Sequence, residues 1–300
     1  MSAGQIHDLG YKRYAGARQD ADTRWRVIMR HQVAMAWKTW WRWKAWIGGA
    51  ALVTIVAGAF MYFMSNDLFH GMGRAGRLAL TIRDVALPES IGFYCKVAFL
   101  ASLTLGTTVI AGDVQSGAFT FYFARSVRPR DYVLGKLAGV GIVMAILTMV
   151  GPLLLAAMRL GFCKSWGELV GQLDIVPKAL FAGGLATLAY TAVPLAFSAL
   201  VGNKRTALAL WAAYYLIGGL VAIMIGALTH TGWISAIDIH GAIDNLSERL
   251  FEVPPLPGKQ LDAVSIAQAI TSILVQVTAA IAIVWVSVDR AQKTGVGGST

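Results

Sequence analysis

Long apolar blocks separated by shorter polar stretches dominate the hydrophobic pattern of this 300-residue chain. A helix that crosses a bilayer needs roughly 20 mostly apolar residues. In lipid, each backbone polar group must also be satisfied within its own segment, which favours helices over open strands. The pattern therefore predicts an all-α membrane protein with six membrane-spanning helices. Their predicted bounds are 47–64, 91–111, 137–158, 179–201, 207–228 and 264–288.

A different pattern precedes the first block. Residues 23–46 place apolar side chains at helical spacing on one face and cations on the opposite face. This is typical of an amphipathic helix that lies in the membrane interface. A calmodulin-like target helix would show a similar pattern, but the position directly before a spanning helix favours the membrane. We expect interface contacts from Trp25, Trp37, Trp40 and Trp41.

Charge sets the orientation of these helices. Charged residues make up 14% of the chain, against about 25% in a soluble domain. Of the 26 lysines and arginines, 17 fall in segments on one side of the predicted membrane and 7 in loops on the other. The positive-inside rule then places both termini in the cytoplasm. The net charge of +10 follows from this orientation and from attraction to lipid headgroups, without nucleic acid.

The remaining segments follow from this topology. Residues 1–22 and 289–300 are predicted to be cytoplasmic, as is the loop 112–136. In the external loop 229–263, a broken apolar stripe predicts one or two short helices on the outer leaflet. Two histidines and an aspartate there lack the clustering of a metal site, so a solvated loop is favoured. In the first external loop, 65–90, a short helix is predicted to end before Pro88.

The cysteine content is low. Two cysteines exclude a disulfide framework. Cys95 and Cys163 both fall near the outer face in this topology. Two inert thiols are favoured over a bridge between them.

Several kinds of chemistry are absent from the sequence. It contains no G-x-x-x-x-G-K-[ST] phosphate loop, no H-E-x-x-H and no G-x-S-x-G. Apart from Lys96, the apolar blocks carry no acid, lysine, arginine or histidine. Ion-driven transporters need such groups inside the membrane. The chain is therefore not expected to be an enzyme or to hold a cofactor, and transport would draw its energy from elsewhere.

The loop 112–136 reads GDVQSGAFTFYFARSVRPRDYVLGK. An acid is followed by a glycine, an aromatic segment, a basic segment with proline, and D-Y-x-x-G-K before the third block. This order, together with DLGYKRYAGAR at 8–18, resembles the membrane subunits of ABC-2 type transporters. Ser126 stands where that family usually has proline, and Pro129 comes three residues later. In that family a short helix follows the glycine, so the end of this helix is expected to be shaped differently here.

The resemblance implies an ABC-2 (type V exporter-like) permease fold in the bacterial inner membrane. Two permease copies, identical or related, would sit on two copies of a separate ATPase, which would hold ATP and Mg. The loop 112–136 would supply the contact with that ATPase. The residues implied in this contact are Asp113, Ser116, Gly117, Phe119, Thr120, Tyr122, Phe123, Arg125, Arg128, Arg130 and Asp131.

The neutral spans, rich in aromatic residues and methionine, favour export of a hydrophobic or amphipathic substrate. A mechanotransmission or scaffold subunit, which uses an ATPase without transporting, is the alternative. A secondary transporter is less favoured, because neither intramembrane charge nor an inverted repeat is visible.

Overall fold

The computed structural model describes residues 23–38, 40–65, 74–123, 127–229, 232–252 and 264–293. Within these ranges the chain forms helices and no strand, and six helical segments are long and apolar enough to cross a membrane. The predicted all-α fold with six spans is therefore confirmed. The spans are Lys44–Met64, Arg83–Gln115, Pro129–Gly161, Trp166–Leu200, Lys204–Thr229 and Ile266–Lys293. The predicted N-terminal segment 1–22, part of the external loop and the end of the C-terminal tail lie outside the described residues.

Eleven α-helices are described: α1 (Arg24–Lys38), α2 (Trp40–Met64), α3 (Arg74–Leu105), α4 (Val109–Gln115), α5 (Ala118–Phe123), α6 (Pro129–Gly161), α7 (Trp166–Gly171), α8 (Ile175–Leu200), α9 (Lys204–Thr229), α10 (Ile239–Leu250) and α11 (Ile266–Lys293). Helices α6 and α8 pack against each other at the centre of the structure. Helix α6 also contacts α1, α2, α3 and α11, while α8 contacts α11 and α3.

The boundary between the first two helices differs from the sequence prediction. The amphipathic helix was predicted over 23–46, whereas α1 ends at Lys38 and α2 begins at Trp40. The tryptophan-rich run contains neither glycine nor proline, so it extends the first spanning helix at its start. The side chains of Trp40 and Trp41 lie outside the described residues.

Helix α3 runs through Pro88, so the predicted helix end before this residue is wrong. Proline has no N–H to donate to the carbonyl four residues earlier, which belongs to Asp84. Arg159 replaces the missing donor, because its Nη1 lies 3.4 Å from the Asp84 carbonyl oxygen. Its Nη2 also lies 3.0 Å from Asp84 Oδ1. A side chain from α6 thus compensates for a proline in α3.

The second span consists of two helices, α3 and α4, with an interruption at 106–108. Gly106 lies against α8, and a Cβ at this position would be 2.8 Å from Pro194 Cβ. The hydroxyl of Ser198, also in α8, accepts hydrogen bonds from the backbone N–H groups of Ile110 at 3.0 Å and Ala111 at 2.9 Å. These bonds satisfy amides at the start of α4 that have no partner within their own helix.

Between the fifth and sixth spans, a short 3-10 helix (Gly232–Ile237) and α10 cover one end of the bundle. Asp238 begins α10 as its N-cap, because its Oδ2 accepts from the Gly241 N–H at 2.8 Å. The apolar face of α10 contacts α3, α8 and α11 rather than the outer leaflet that the sequence predicted. It buries Ile239, Ala242, Ile243 and Leu246.

No group of three potential metal ligands occurs among the residues that the structure describes. Of the two histidines in the loop 229–263, His230 lies outside the described ranges. His240 Nε2 lies 3.6 Å from Asp244 Oδ2. Cys95 is buried, Cys163 is partly exposed, and both are free thiols.

Candidate coupling site

A turn at 116–117 separates helix α5 from α4. Gly117 has a φ of 67°, a left-handed conformation that glycine adopts without steric cost. Its carbonyl oxygen accepts from both the backbone N–H of Thr120 at 3.2 Å and the Thr120 hydroxyl at 2.7 Å. The Ser-Gly pair in the sequence therefore forms the turn that directs α5 away from α4.

The start of α6 is fixed by its own first residues. Pro129 occupies the first turn, where the missing N–H costs nothing and the fixed φ suits a helix. Asp131 Oδ2 accepts from the backbone N–H of Arg128 at 3.3 Å. Only 4% of Asp131 is exposed. This carboxylate therefore caps a helix whose first described turn starts eight residues before the predicted span.

Helix α5 rests on the ring of Tyr132, which is fully buried. The ring centroid of Tyr132 lies 5.2 Å from that of Phe119, 5.4 Å from that of Tyr122 and 6.1 Å from that of Phe123. Phe119 and Phe123 also stack on each other at 5.5 Å. Tilted and edge-on contacts of this kind add stabilisation beyond the buried area. We call these four residues the aromatic seat.

A buried charge network lies beneath the aromatic seat. The Tyr132 hydroxyl donates to Asp113 Oδ2 at 2.7 Å, and Lys136 Nζ lies 2.8 Å from the same oxygen. Lys136 Nζ also donates to Gln32 Oε1 at 3.3 Å. A buried ion pair is tolerated when its polar atoms are hydrogen-bonded in this way. Helices α1, α4 and α6 are thus joined at one point.

Tyr122 belongs to the aromatic seat but lies outside the membrane spans. Burial, and secondarily the Asp113 carboxylate, raise the pKa of the Tyr122 phenol. Both effects disfavour the anionic form. The phenol therefore stays neutral at physiological pH and adds no charge to the network.

Two glycines allow α1 to pack closely along the first turns of α6. A Cβ at Gly135 would lie 2.6 Å from Ile28 Cβ, and one at Gly139 would lie 2.6 Å from Gln32 Cβ. This small-x-x-x-small spacing permits close approach of two helices. Buried Ile28 therefore contacts protein, although the sequence assigned the apolar face of α1 to the membrane interface. Trp37 remains 58% exposed.

The residues predicted to contact the ATPase differ in their exposure to solvent. Arg125, one of them, lies outside the described ranges. Ser116, Thr120, Arg128 and Arg130 are exposed; Asp113, Gly117, Tyr122 and Phe123 are half-buried; Phe119 and Asp131 are buried.

Sequence reasoning missed the most exposed aromatic residue of the loop. Phe121 is 75% exposed, whereas Phe119, Tyr122 and Phe123 face Tyr132. In a helix, residues three and four apart share a face. The 3.6-residue period applied to 118–123 would have separated Phe121 from Phe119 and Tyr122. Sequence reasoning also missed Tyr132, Lys136 and Gln32 as members of the site, because their roles depend on contacts between helices that are distant in sequence.

Six spanning segments and a compact loop seated on the start of α6 define a multi-pass membrane protein. The model of the ABC-2 family of transporter proteins matches residues 27–292. The chain therefore belongs to the ABC-2 family, whose members are transmembrane components of ABC transporters. Membership of this family implies association with an ABC ATPase subunit. A search of curated proteins found no match to the chain.

Proposed function

We propose that this chain is the permease subunit of an ATP-driven exporter in the bacterial inner membrane, with both termini in the cytoplasm and α5 as its coupling helix. The observation that carries the proposal is the position of α5. One face is fixed on the aromatic seat, while Phe121 on the other face is 75% exposed. An exposed aromatic side chain on a rigid support is suited to a partner pocket, because few rotors are frozen on binding.

ATP and Mg would be bound by the separate ATPase. Two ATPase copies would serve two permease copies, and closure of the ATPase dimer would displace α5. The aromatic seat would pass this displacement to α6 through Tyr132. Asp113 would pass it to α4, since its carboxylate is held by both Tyr132 and Lys136. The exposed Arg128 and Arg130 are placed to pair with carboxylates of the ATPase.

The cargo that we propose is hydrophobic or amphipathic. A groove of about 560 Å³ lies between α2 and α3 and is lined mainly by aliphatic and aromatic side chains. Glu89 and Ser90 are the polar members of this lining. Ligand sites of this size combine an apolar wall with a few polar groups that orient the ligand.

The coupling role is tested by Phe121→Asp, with Trp166→Asp as the matched control. Trp166 is 79% exposed and is the first residue of the fourth span, Trp166–Leu200, at the side of the membrane opposite to α5. The tagged chain is purified from its native membranes with its associated ATPase, and both variants are reconstituted in proteoliposomes. We expect the Phe121 variant to lose ATPase recovery or stimulated ATP hydrolysis, and the Trp166 variant to keep both.

Two results would contradict the proposal. Full assembly and full stimulated hydrolysis with Phe121→Asp would remove α5 from the coupling role. A chain that purifies stably without any ATPase would remove the ATP-driven function. If hydrolysis is stimulated but no lipid-like or drug-like probe is moved by the wild-type complex, the mechanotransmission alternative is favoured.

A further inference from the structure

A second groove lies on the cytoplasmic side, between α1 and α6. Its volume is about 420 Å³. The apolar part of its lining includes Met29, Val33 and Trp37, which follow one another at four-residue spacing along α1, and Ile142 from α6. Arg30 and Lys38, also in the lining, are both exposed. An apolar trough is thus combined with two cations on one side of a helix.

The charge around this groove has a single sign on α1. Helix α1 carries three arginines and one lysine, and residues 23–66 contain no aspartate or glutamate. The nearest acids of the neighbouring elements are engaged elsewhere. Asp131 caps α6 and is buried, and Asp113 pairs with Lys136. Within the residues that the structure describes, the acids near this groove are thus committed to other partners, and an anion supplied from outside these residues fits Arg30 and Lys38.

The groove is held in shape by the adjacent ridge of α1. Ile28 and Gln32 lie against Gly135 and Gly139, and Ala36 packs with Val143. These three contacts advance by four residues along both helices. Since this ridge is fixed to α6, the neighbouring ridge that lines the groove is presented in a defined position. Preorganisation of this kind lowers the entropic cost of binding.

We propose that this groove binds one anionic phospholipid. The phosphate would pair with Arg30 and Lys38, and an acyl chain would lie along Met29, Val33, Trp37 and Ile142. The level in the membrane supports a lipid, because α1 directly precedes the span Lys44–Met64 and lies beside the first turns of α6. A free phosphate would leave the apolar lining unused, whereas a phospholipid fills both parts of the groove.

The test titrates the purified full-length chain in detergent with phosphatidylglycerol or phosphatidylcholine of the same acyl chains, and counts bound lipids by native mass spectrometry. We expect one phosphatidylglycerol per chain to bind preferentially. Arg30→Gln combined with Lys38→Gln should weaken phosphatidylglycerol binding by about tenfold or more and change phosphatidylcholine binding little. Ala34→Trp, which fills the groove, should weaken both.

The matched control is Arg205→Gln with Lys293→Gln, which removes two exposed cations from other helices on the same side of the membrane. It should leave the lipid preference unchanged. Equal binding of both lipids by the wild type would overturn the proposal, as would equal losses in the groove and control variants. If the double groove variant does not purify as a folded protein, Ala34→Trp decides alone, and unchanged lipid binding by that variant overturns the site.

Discussion

Lys136 Nζ lies 2.8 Å from Asp113 Oδ2, and only 5% of the lysine side chain and 19% of the aspartate side chain are exposed. The two residues stand at opposite ends of the loop that carries α5. The pair therefore closes the loop at its base and fixes the two spanning segments to each other. This gives the acid and the final lysine of the loop an internal structural role, distinct from contact with a partner.

Lys136→Met is expected to destabilise the protein by about 3 kcal/mol, because it leaves the Asp113 carboxylate in a mostly buried site without its cation. The measurement is the free energy of unfolding in detergent. Adding Asp113→Asn to Lys136→Met should recover part of the loss, since the unpaired charge is then removed.

Lys293→Met is the control for this pair. Its ion pair with Asp289 at 2.6 Å involves side chains that are 72% and 35% exposed, and such pairs contribute less than about 1 kcal/mol. If Lys136→Met and Lys293→Met lower the free energy of unfolding equally, the buried pair contributes no more to stability than the exposed one.

Tyr132 supports α5 through its ring and Asp113 through its hydroxyl, and two variants separate these contributions. Tyr132→Phe should lower the free energy of unfolding by about 1.5 kcal/mol, the contribution of a hydrogen bond to a charged group. Tyr132→Ala should cost about 4 kcal/mol, since a large buried ring is lost. Hydrogen exchange of the amides of 118–123 should rise strongly in the alanine variant and little in the phenylalanine variant. Similar exchange in both would mean that α5 does not depend on the ring.

The compensation of Pro88 by Arg159 predicts a coupling between two distant positions. Arg159→Met should cost about 2 kcal/mol, because the Asp84 carbonyl loses its donor. Pro88→Ala restores a backbone N–H and should stabilise the protein more in the Arg159→Met background than in the wild type. A double-mutant cycle on the free energy of unfolding should give a coupling of about 1 kcal/mol. Strict additivity would refute the compensation.

The two cysteines are expected to react differently with a maleimide. Partial burial, and secondarily Glu168, raise the pKa of the Cys163 thiol, and the thiolate is the reactive form. A raised pKa lowers the thiolate fraction at neutral pH, so labelling should be slow at pH 7 and continue to accelerate above the ordinary thiol value of about 8.5. Cys95, which is fully buried, should react only after denaturation.

Cys163→Ser is the control, and it should abolish labelling of the native protein. Mass spectrometry after denaturation without reductant should find two modified thiols in the wild type. A mass shift that requires a reductant would instead reveal a disulfide and contradict the free thiols of the structure.

The features that sequence predicted well depend on local pattern alone. Each spanning segment is predicted by the length of its apolar run, because backbone polar groups in lipid must be hydrogen-bonded within their own helix. The short helix of the loop was implied by the resemblance of the order of residues between Asp113 and Lys136 to the ABC-2 family, and not by its periodicity. The general amphipathic character of residues 24–38 was also visible, since it needs only helical periodicity.

The features that sequence did not predict depend on contacts between distant residues. Helix α3 continues through Pro88 because Arg159 supplies a hydrogen-bond donor, and no residue near Pro88 in sequence indicates this contact. The burial of Phe119 needs the ring of Tyr132 beneath it. Likewise, the face of α1 could be assigned to protein rather than lipid only with knowledge of Gly135 and Gly139 as its neighbours. Each outcome was decided by tertiary packing that overrode the local pattern.

The interruption of the second span has a mechanical consequence. The amides of Ile110 and Ala111 bond to Ser198 instead of to the preceding turn, so we expect the span to bend most easily at 106–108. A load applied at the end of the span that leads into α5 would then rotate α4 about this point and leave α3 nearly still. The same load would pass into α8 through Ser198, so the second span would deliver its motion to a neighbouring helix before its own far half.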